Sequence, residues 1–163
     1  MFFLQRKIII LIFVLIPLFS WAENNTSPKL AEILNNTTIT TQKNINYQNY
    51  QQKPIILIYW TWWCNVCKQQ LQNLNSLQQK NIEQKFHIMG ISVDDPQKNH
   101  HKTLKIAHKL NFDNIYLNNQ NSPYYPESIP TTIIFNSTHQ QIAKLEGIVD
   151  AKQIEEIMFS TTL

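Results

Sequence analysis

Cysteine is scarce in this chain: its 163 residues contain only Cys64 and Cys67. Two thiols cannot build the multi-disulfide framework of a small stapled scaffold, and no third thiol competes for either sulfur. A zinc site draws on four soft or borderline ligands, commonly as two close pairs. The second pair is missing. None of the histidines, His87, His100, His101, His108 and His139, forms one at Cys₂His₂ spacing, and the adjacent His100 and His101 would point about 100° apart on a helix. Lysine and arginine do not cluster with aromatics, so nucleic-acid binding has no electrostatic footprint. The apolar run Ile8 to Ile16 falls short of the about 20 residues that a membrane span needs. No internal repeat is present.

What is there begins with an address. Arg6 and Lys7 precede that apolar run, and Pro17 and then Ser20-Trp21-Ala22 follow it. A basic start, a short apolar stretch and small residues at Ser20 and Ala22 read as a secretory signal peptide over residues 1–22, cleaved after Ala22. An uncleaved N-terminal anchor is the alternative, and either outcome exports the remainder. No cysteine follows the run at the cleavage point, which excludes a bacterial lipoprotein anchor. The net charge of +3 includes the two charges of Arg6 and Lys7, so without them it is +1, and the basicity belongs largely to export. The remaining length suits a single domain with one core.

Residues 23–53 are rich in Asn, Gln and Thr and read as a polar leader, with a short helix at Lys29 to Leu34 and an edge strand at Thr37 to Thr41. A packed domain is expected over 54–163. Ile55 to Trp60 is a continuous apolar run of β-branched and aromatic residues, the pattern of a strand buried on both faces. A helix from about Asn65 to Lys80 carries Leu71, Leu74 and Leu77 on one side, and Phe86 to Val93 is a second buried strand. Asp94-Asp95-Pro96 supplies an N-cap and a first-turn proline for a helix over about Gln97 to Leu110, with Leu104, Ala107 and Leu110 inward. A short strand at Ile115 to Leu117 precedes a proline-rich connection from Pro123 to Pro130. Thr131 to Phe135 and Gln141 to Leu145 form a hairpin, Gly147 ends it, and Asp150 caps a last helix through about Phe159. This order predicts an α/β fold: a mixed central sheet flanked by helices on both faces.

Against that outline, Trp60-Thr61-Trp62-Trp63-Cys64-Asn65-Val66-Cys67 resembles the W-x-x-W-C-x-x-C signature of thioredoxin-like proteins, and Ser128-Ile129-Pro130-Thr131-Thr132 resembles their proline loop. Gly90-Ile91-Ser92-Val93-Asp94-Asp95 resembles the second strand of the exported TlpA/ResA/DsbE group. With Gly147, the resemblance spans roughly residues 54–160. It implies a thioredoxin fold and thiol–disulfide exchange. It also implies a cis bond before Pro130, opposite the active cysteine, where the preceding backbone at Ile129 can pair with an incoming peptide. The residues alone would not give that bond, because only about 5–6% of X–Pro bonds in folded proteins are cis.

The chemistry has its own physical reasons. Attack on a disulfide requires a thiolate, and the first turn of a helix stabilises one with unpaired N–H groups and the positive end of the dipole. Cys64 is placed as that nucleophile. Cys67, one turn further in, is placed to resolve the mixed disulfide. Inert core thiols fit a strand-to-helix corner poorly. Trp60 reads as core, Trp63 as part of a docking surface with Ile129 and Pro130, and Trp62 as an exposed aromatic that widens an apolar patch.

Three positions depart from the resembling families. Ile58 stands where thioredoxins bury an Asp, Gln70 where the cytochrome-maturation reductases carry a Glu, and Val66 where many relatives carry proline. Gln cannot take a proton, so proton transfer at Cys67 needs water or another group, for which Glu127 is a candidate.

The expected protein is therefore a periplasmic or otherwise exported thiol–disulfide oxidoreductase without cofactor or metal, monomeric, acting on protein disulfides or dithiols. A membrane or periplasmic redox partner would recycle it, and the expected direction is reduction. The alternatives are a disulfide-introducing oxidase and a non-catalytic binding or copper-handling module. His100, His101 and His108 read as part of a solvated helix face. A thiol peroxidase is disfavoured because no proline–threonine frame precedes Cys64.

Overall fold

In the computed structural model, which describes residues 30–35, 37–39, 50, 52–117 and 121–160, the chain opens with α1 (Leu30–Asn35), β1 (Thr37–Ile39) and β2 (Ile55–Trp60). It continues through α2 (Asn65–Lys80), β3 (His87–Ser92), α3 (Pro96–Ala107) and β4 (Asp113–Leu117). The end is β5 (Thr131–Phe135), β6 (Gln141–Glu146) and α4 (Ala151–Ser160). The signal segment at 1–22 lies outside the described residues. Among those described, no helix is long and apolar enough to cross a membrane.

The strands form one sheet in the order β1-β4-β3-β2-β5-β6. β2 pairs parallel with β3 and antiparallel with β5, β3 pairs parallel with β4, and the outer pairs β1·β4 and β5·β6 are antiparallel. Every residue of β2 is buried, for the reason its sequence suggests. Side chains alternate across a strand, and here both faces are covered. Ile55, Leu57 and Tyr59 pack with Leu30, Ile33, Met89, Ile91 and Phe135. Ile56, Ile58 and Trp60 pack on the other face with Leu71, Leu74, Leu77, Ile134 and Ile154. A fully buried aliphatic side chain contributes about 1.5–3 kcal/mol, so register in β2 is set by two cores at once.

Helices cover both faces, as expected: α1 on one, α2, α3 and α4 on the other. The segment read as a polar leader contributes Leu30, Ile33, Leu34 and Tyr50 to the first core, and β1 pairs Thr37 with Leu117 at the sheet edge. One expectation needs correction. In α3 the inward residue is Thr103, fully buried, whereas Leu104 is half-exposed. Ala107 is buried, and Ile106 and Leu110 pack against the second core. A polar side chain displaces a leucine here because it has a buried acceptor, the Asp94 carboxylate.

Gly90, in the middle of β3, is required by packing. A Cβ there would stand 2.0 Å from Asn114 Oδ1 and 3.0 Å from Trp60 Nε1, and Asn114 is itself buried, with its Nδ2 donating to the Phe112 carbonyl at 3.1 Å. Overpacking of this kind costs about 1–3 kcal/mol. Gly90→Ala is therefore expected to lower the unfolding free energy by that amount, read as a lower urea midpoint at unchanged m-value, and an unchanged midpoint would contradict the packing described.

Candidate active site

β2 ends at Trp60 and α2 begins at Asn65, so four residues turn the chain from strand to helix. Cys64 is the N-cap of α2, with extended backbone (φ −79°, ψ 107°), and its Sγ accepts the Cys67 N–H at 3.0 Å. The Cys64 N–H in turn donates to the Thr61 carbonyl at 3.4 Å. Cys64 and Cys67 are joined as a disulfide, their Cα atoms 5.2 Å apart. The two sulfurs are not equivalent: Cys64 is 8% exposed, whereas Cys67 has no exposure. Any partner reaches Cys64 first. The first turn of α2 adds no charge near it beyond Lys68, whose ammonium donates to Asn65 Oδ1 at 3.1 Å on the surface.

The tryptophans divide by depth. Trp60 is fully buried and Trp63 is 60% exposed. Trp62, expected in the open, is half-buried, with the Lys102 ammonium 4.0 Å from its ring centroid. A cation on the aromatic face covers the ring that was expected to widen an apolar patch. Trp63 instead lines a cleft of about 690 Å³ with Thr61, Val93, Asp94 and Tyr125. Beneath it the Trp62 backbone N–H donates to Asp94 Oδ2 at 3.0 Å. Burial raises the neighbouring Tyr116 phenol above its ordinary value, a side-chain hydrogen bond with Thr103 works against that, and the Asp94 carboxylate adds to the rise.

The proline loop arrives from β5. Thr131 lies opposite Tyr59 in the β2·β5 register, so Pro130 stands at the end of β2 that leads to Cys64. The Ile129–Pro130 bond is cis, as the resemblance implied. Ile129 is half-buried against the core cluster that holds both cysteines. The Pro130 carbonyl accepts the Gly147 N–H at 2.8 Å. Gly147 adopts φ 79°, a left-handed conformation that glycine enters without steric cost. Next to it Ile148 is 46% exposed, and Val66 in the first turn of α2 is 48% exposed. Trp63, Val66 and Ile148 are thus exposed apolar side chains on the segments that carry Cys64 and the partner of the Pro130 carbonyl. Val66 entered the sequence expectation only as a departure from proline, and Ile148 entered none.

The family model described as AhpC/TSA family matches residues 29–157. The chain belongs to the AhpC/TSA family. No curated protein matches it in sequence. Among solved structures, StoA from Bacillus subtilis superposes with a TM-score of 0.61 at 21% identity, over 74% of this chain and 93% of StoA. A thiol:disulfide interchange protein DsbE from Chlorobium tepidum gives 0.62 at 16% identity, over 74% and 88%. A secreted disulfide oxidoreductase of Mycobacterium tuberculosis gives 0.58 at 17% identity, over 74% and 91%. At these identities the likeness concerns the fold, and the fold of this AhpC/TSA protein is the thioredoxin fold expected. The family match begins within one residue of α1, so it includes β1 as well.

Two departures noted in the sequence have structural answers in this AhpC/TSA protein. Ile58 is fully buried in the second core and brings no charge beneath the cysteines. Gln70, one turn after Cys67, has no exposure. Its Oε1 accepts the Val149 N–H at 2.9 Å, so this amide fastens α2 to the loop that also holds Pro130. Glu127, the candidate for proton transfer, is exposed. His139 sits in the β5–β6 turn, its Nε2 3.0 Å from the Tyr50 carbonyl, at the opposite end of β2 from Cys64. Gln70→Leu would leave the buried Val149 N–H without an acceptor, at about 1–3 kcal/mol. The variant is expected to show faster amide exchange at Val149 and a lower unfolding midpoint; wild-type values for both would contradict the fastening role.

Proposed function

We propose that this protein is an exported thiol–disulfide oxidoreductase that exchanges its Cys64–Cys67 pair with partner proteins, chiefly as a reductant. The observation that carries the proposal is the asymmetry of the pair: the outer sulfur caps a helix N-terminus and keeps a small exposure, and the inner one is fully buried a turn behind it. In the reduced protein the Cys64 thiolate attacks one sulfur of a partner disulfide, forming a mixed disulfide and releasing the other partner sulfur as a thiolate. Cys67, after losing its proton, attacks Cys64. The Cys64–Cys67 disulfide forms, and the partner leaves with both sulfurs reduced.

Trp63, Ile129 and Pro130 serve as the docking surface, with the partner's backbone laid along the proline loop. The uncharged Asn65-Val66 pair does not by itself set the potential; the reducing direction is supported by the resemblance to the exported TlpA/ResA/DsbE group. Residues 1–22 support export into an oxidising compartment. There the dithiol has to be regenerated by a membrane or periplasmic donor, with the protein working as a monomer.

Cys64→Ser is expected to abolish reduction of a protein disulfide in a purified assay; undiminished turnover would end the proposal. Cys67→Ala is expected to accumulate a mixed disulfide with its partner, recoverable from the exporting cell. Direction is read by equilibration with glutathione buffers. A potential near −120 mV, the strong-oxidant end of the known range, would replace the reductant with an oxidase.

A further inference from the structure

Apart from the cysteines, one buried acidic group reaches the redox loop. Asp94 is 6% exposed, and its Oδ2 accepts the Trp62 N–H at 3.0 Å, the Ser92 hydroxyl at 2.9 Å and the Thr103 hydroxyl at 2.9 Å. These donors come from the β2–α2 loop, the end of β3 and α3, so one oxygen ties three elements together beside Cys64. All three donors are neutral. Among the described residues no lysine, arginine or histidine forms an ion pair with Asp94.

The distance is short enough for charge to matter. The chain spans at most about 3.6 Å per residue, and Trp62 N is two residues from Cys64 N, so the carboxylate lies within roughly 10 Å of the Cys64 backbone. Other charges face this region from outside. Lys68 is tied to Asn65 at the surface, Lys102 lies over the Trp62 ring, Asp95 is paired with Lys98, and Glu127 is exposed. Solvent screens charges at exposed positions more than those at buried ones, and among these Asp94 is the buried one.

We propose that Asp94 is a positioning residue of the redox loop: its carboxylate holds the Trp62–Cys64 segment against α3, and its charge disfavours the Cys64 thiolate, biasing the pair toward donating electrons. Destabilising the thiolate raises the free energy of the dithiol form relative to the disulfide, which makes the dithiol the stronger reductant. The inference rests on the exchange function proposed above.

The test uses the reduced full chain and needs no partner. Asp94→Asn keeps an oxygen for the three donors and removes the charge, whereas Asp94→Glu keeps the charge. The pH profile of Cys64 alkylation by iodoacetamide is expected to move to lower pH in Asp94→Asn and to stay near wild type in Asp94→Glu. For a tenfold gain in thiolate, the rate below the midpoint rises about three- to fourfold, because nucleophilicity falls as the thiolate becomes more stable. The glutathione equilibrium should shift toward the dithiol in the same variant. A folded Asp94→Asn protein with the wild-type alkylation profile overturns the proposal. In the wild-type protein the ¹³Cγ resonance of Asp94 is expected to follow the Cys64 titration, and a flat resonance overturns it without any variant. If Cys64 alkylates as described but the wild-type dithiol reduces no protein disulfide, the exchange function fails instead.

Discussion

Strand β2 is hydrogen-bonded on both edges and buried on both faces, and this double enclosure is what the cysteine pair depends on. A strand held by two neighbours and two cores cannot slide by one residue without moving an entire apolar set from one core to the other. Its last residue, Trp60, is therefore a fixed point. Five residues later the chain must already be helical to cover the face on which Ile56, Ile58 and Trp60 stand, and the residue that caps this helix start is Cys64. The helix start supplies unpaired N–H groups there, and one of them, on Cys67, already points at the Cys64 sulfur.

Around this junction the structure uses buried polar side chains as fasteners in place of further apolar contact. Asp94 joins the redox loop to β3 and α3, and Gln70 joins α2 to the segment before α4. The Pro130 carbonyl joins the proline loop to Gly147. Each of these bonds is local in space and distant in sequence, apart from the Ser92 and Thr103 contacts. Buried groups of this kind contribute modestly when satisfied and cost more when orphaned, so they fix geometry more than they add stability. That suits a site where a partner's sulfur has to arrive in line with one particular sulfur.

Much of this was legible in the residues. The unbroken apolar run and β-branching of Ile55 to Trp60, the Asp-Asp-Pro start of α3 and the glycine before α4 each carry a local physical signal, and the elements follow those signals to within a few residues. Trp62 and Leu104 depart from expectation for a shared reason. Sequence patterns rank residues by polarity and ignore the partner that changes the outcome. A lysine over an indole ring shields Trp62, and a buried carboxylate draws Thr103 inward ahead of Leu104. The same limitation hid the core role of Leu30, Ile33 and Leu34, which lie in a stretch whose overall composition is polar.

By itself the sequence determined the chemistry available: two thiols at helix-turn spacing, with no third to interfere, following an apolar strand. Those are covalent and local facts, and no folding could alter them. Only the tertiary structure decided which sulfur faces outward, which carboxylate stands behind the redox loop, and that Gln70 is spent on the Val149 N–H. These outcomes depend on contacts between segments as many as 79 residues apart, and burial and hydrogen-bond satisfaction are properties of the packed whole, which no local pattern contains.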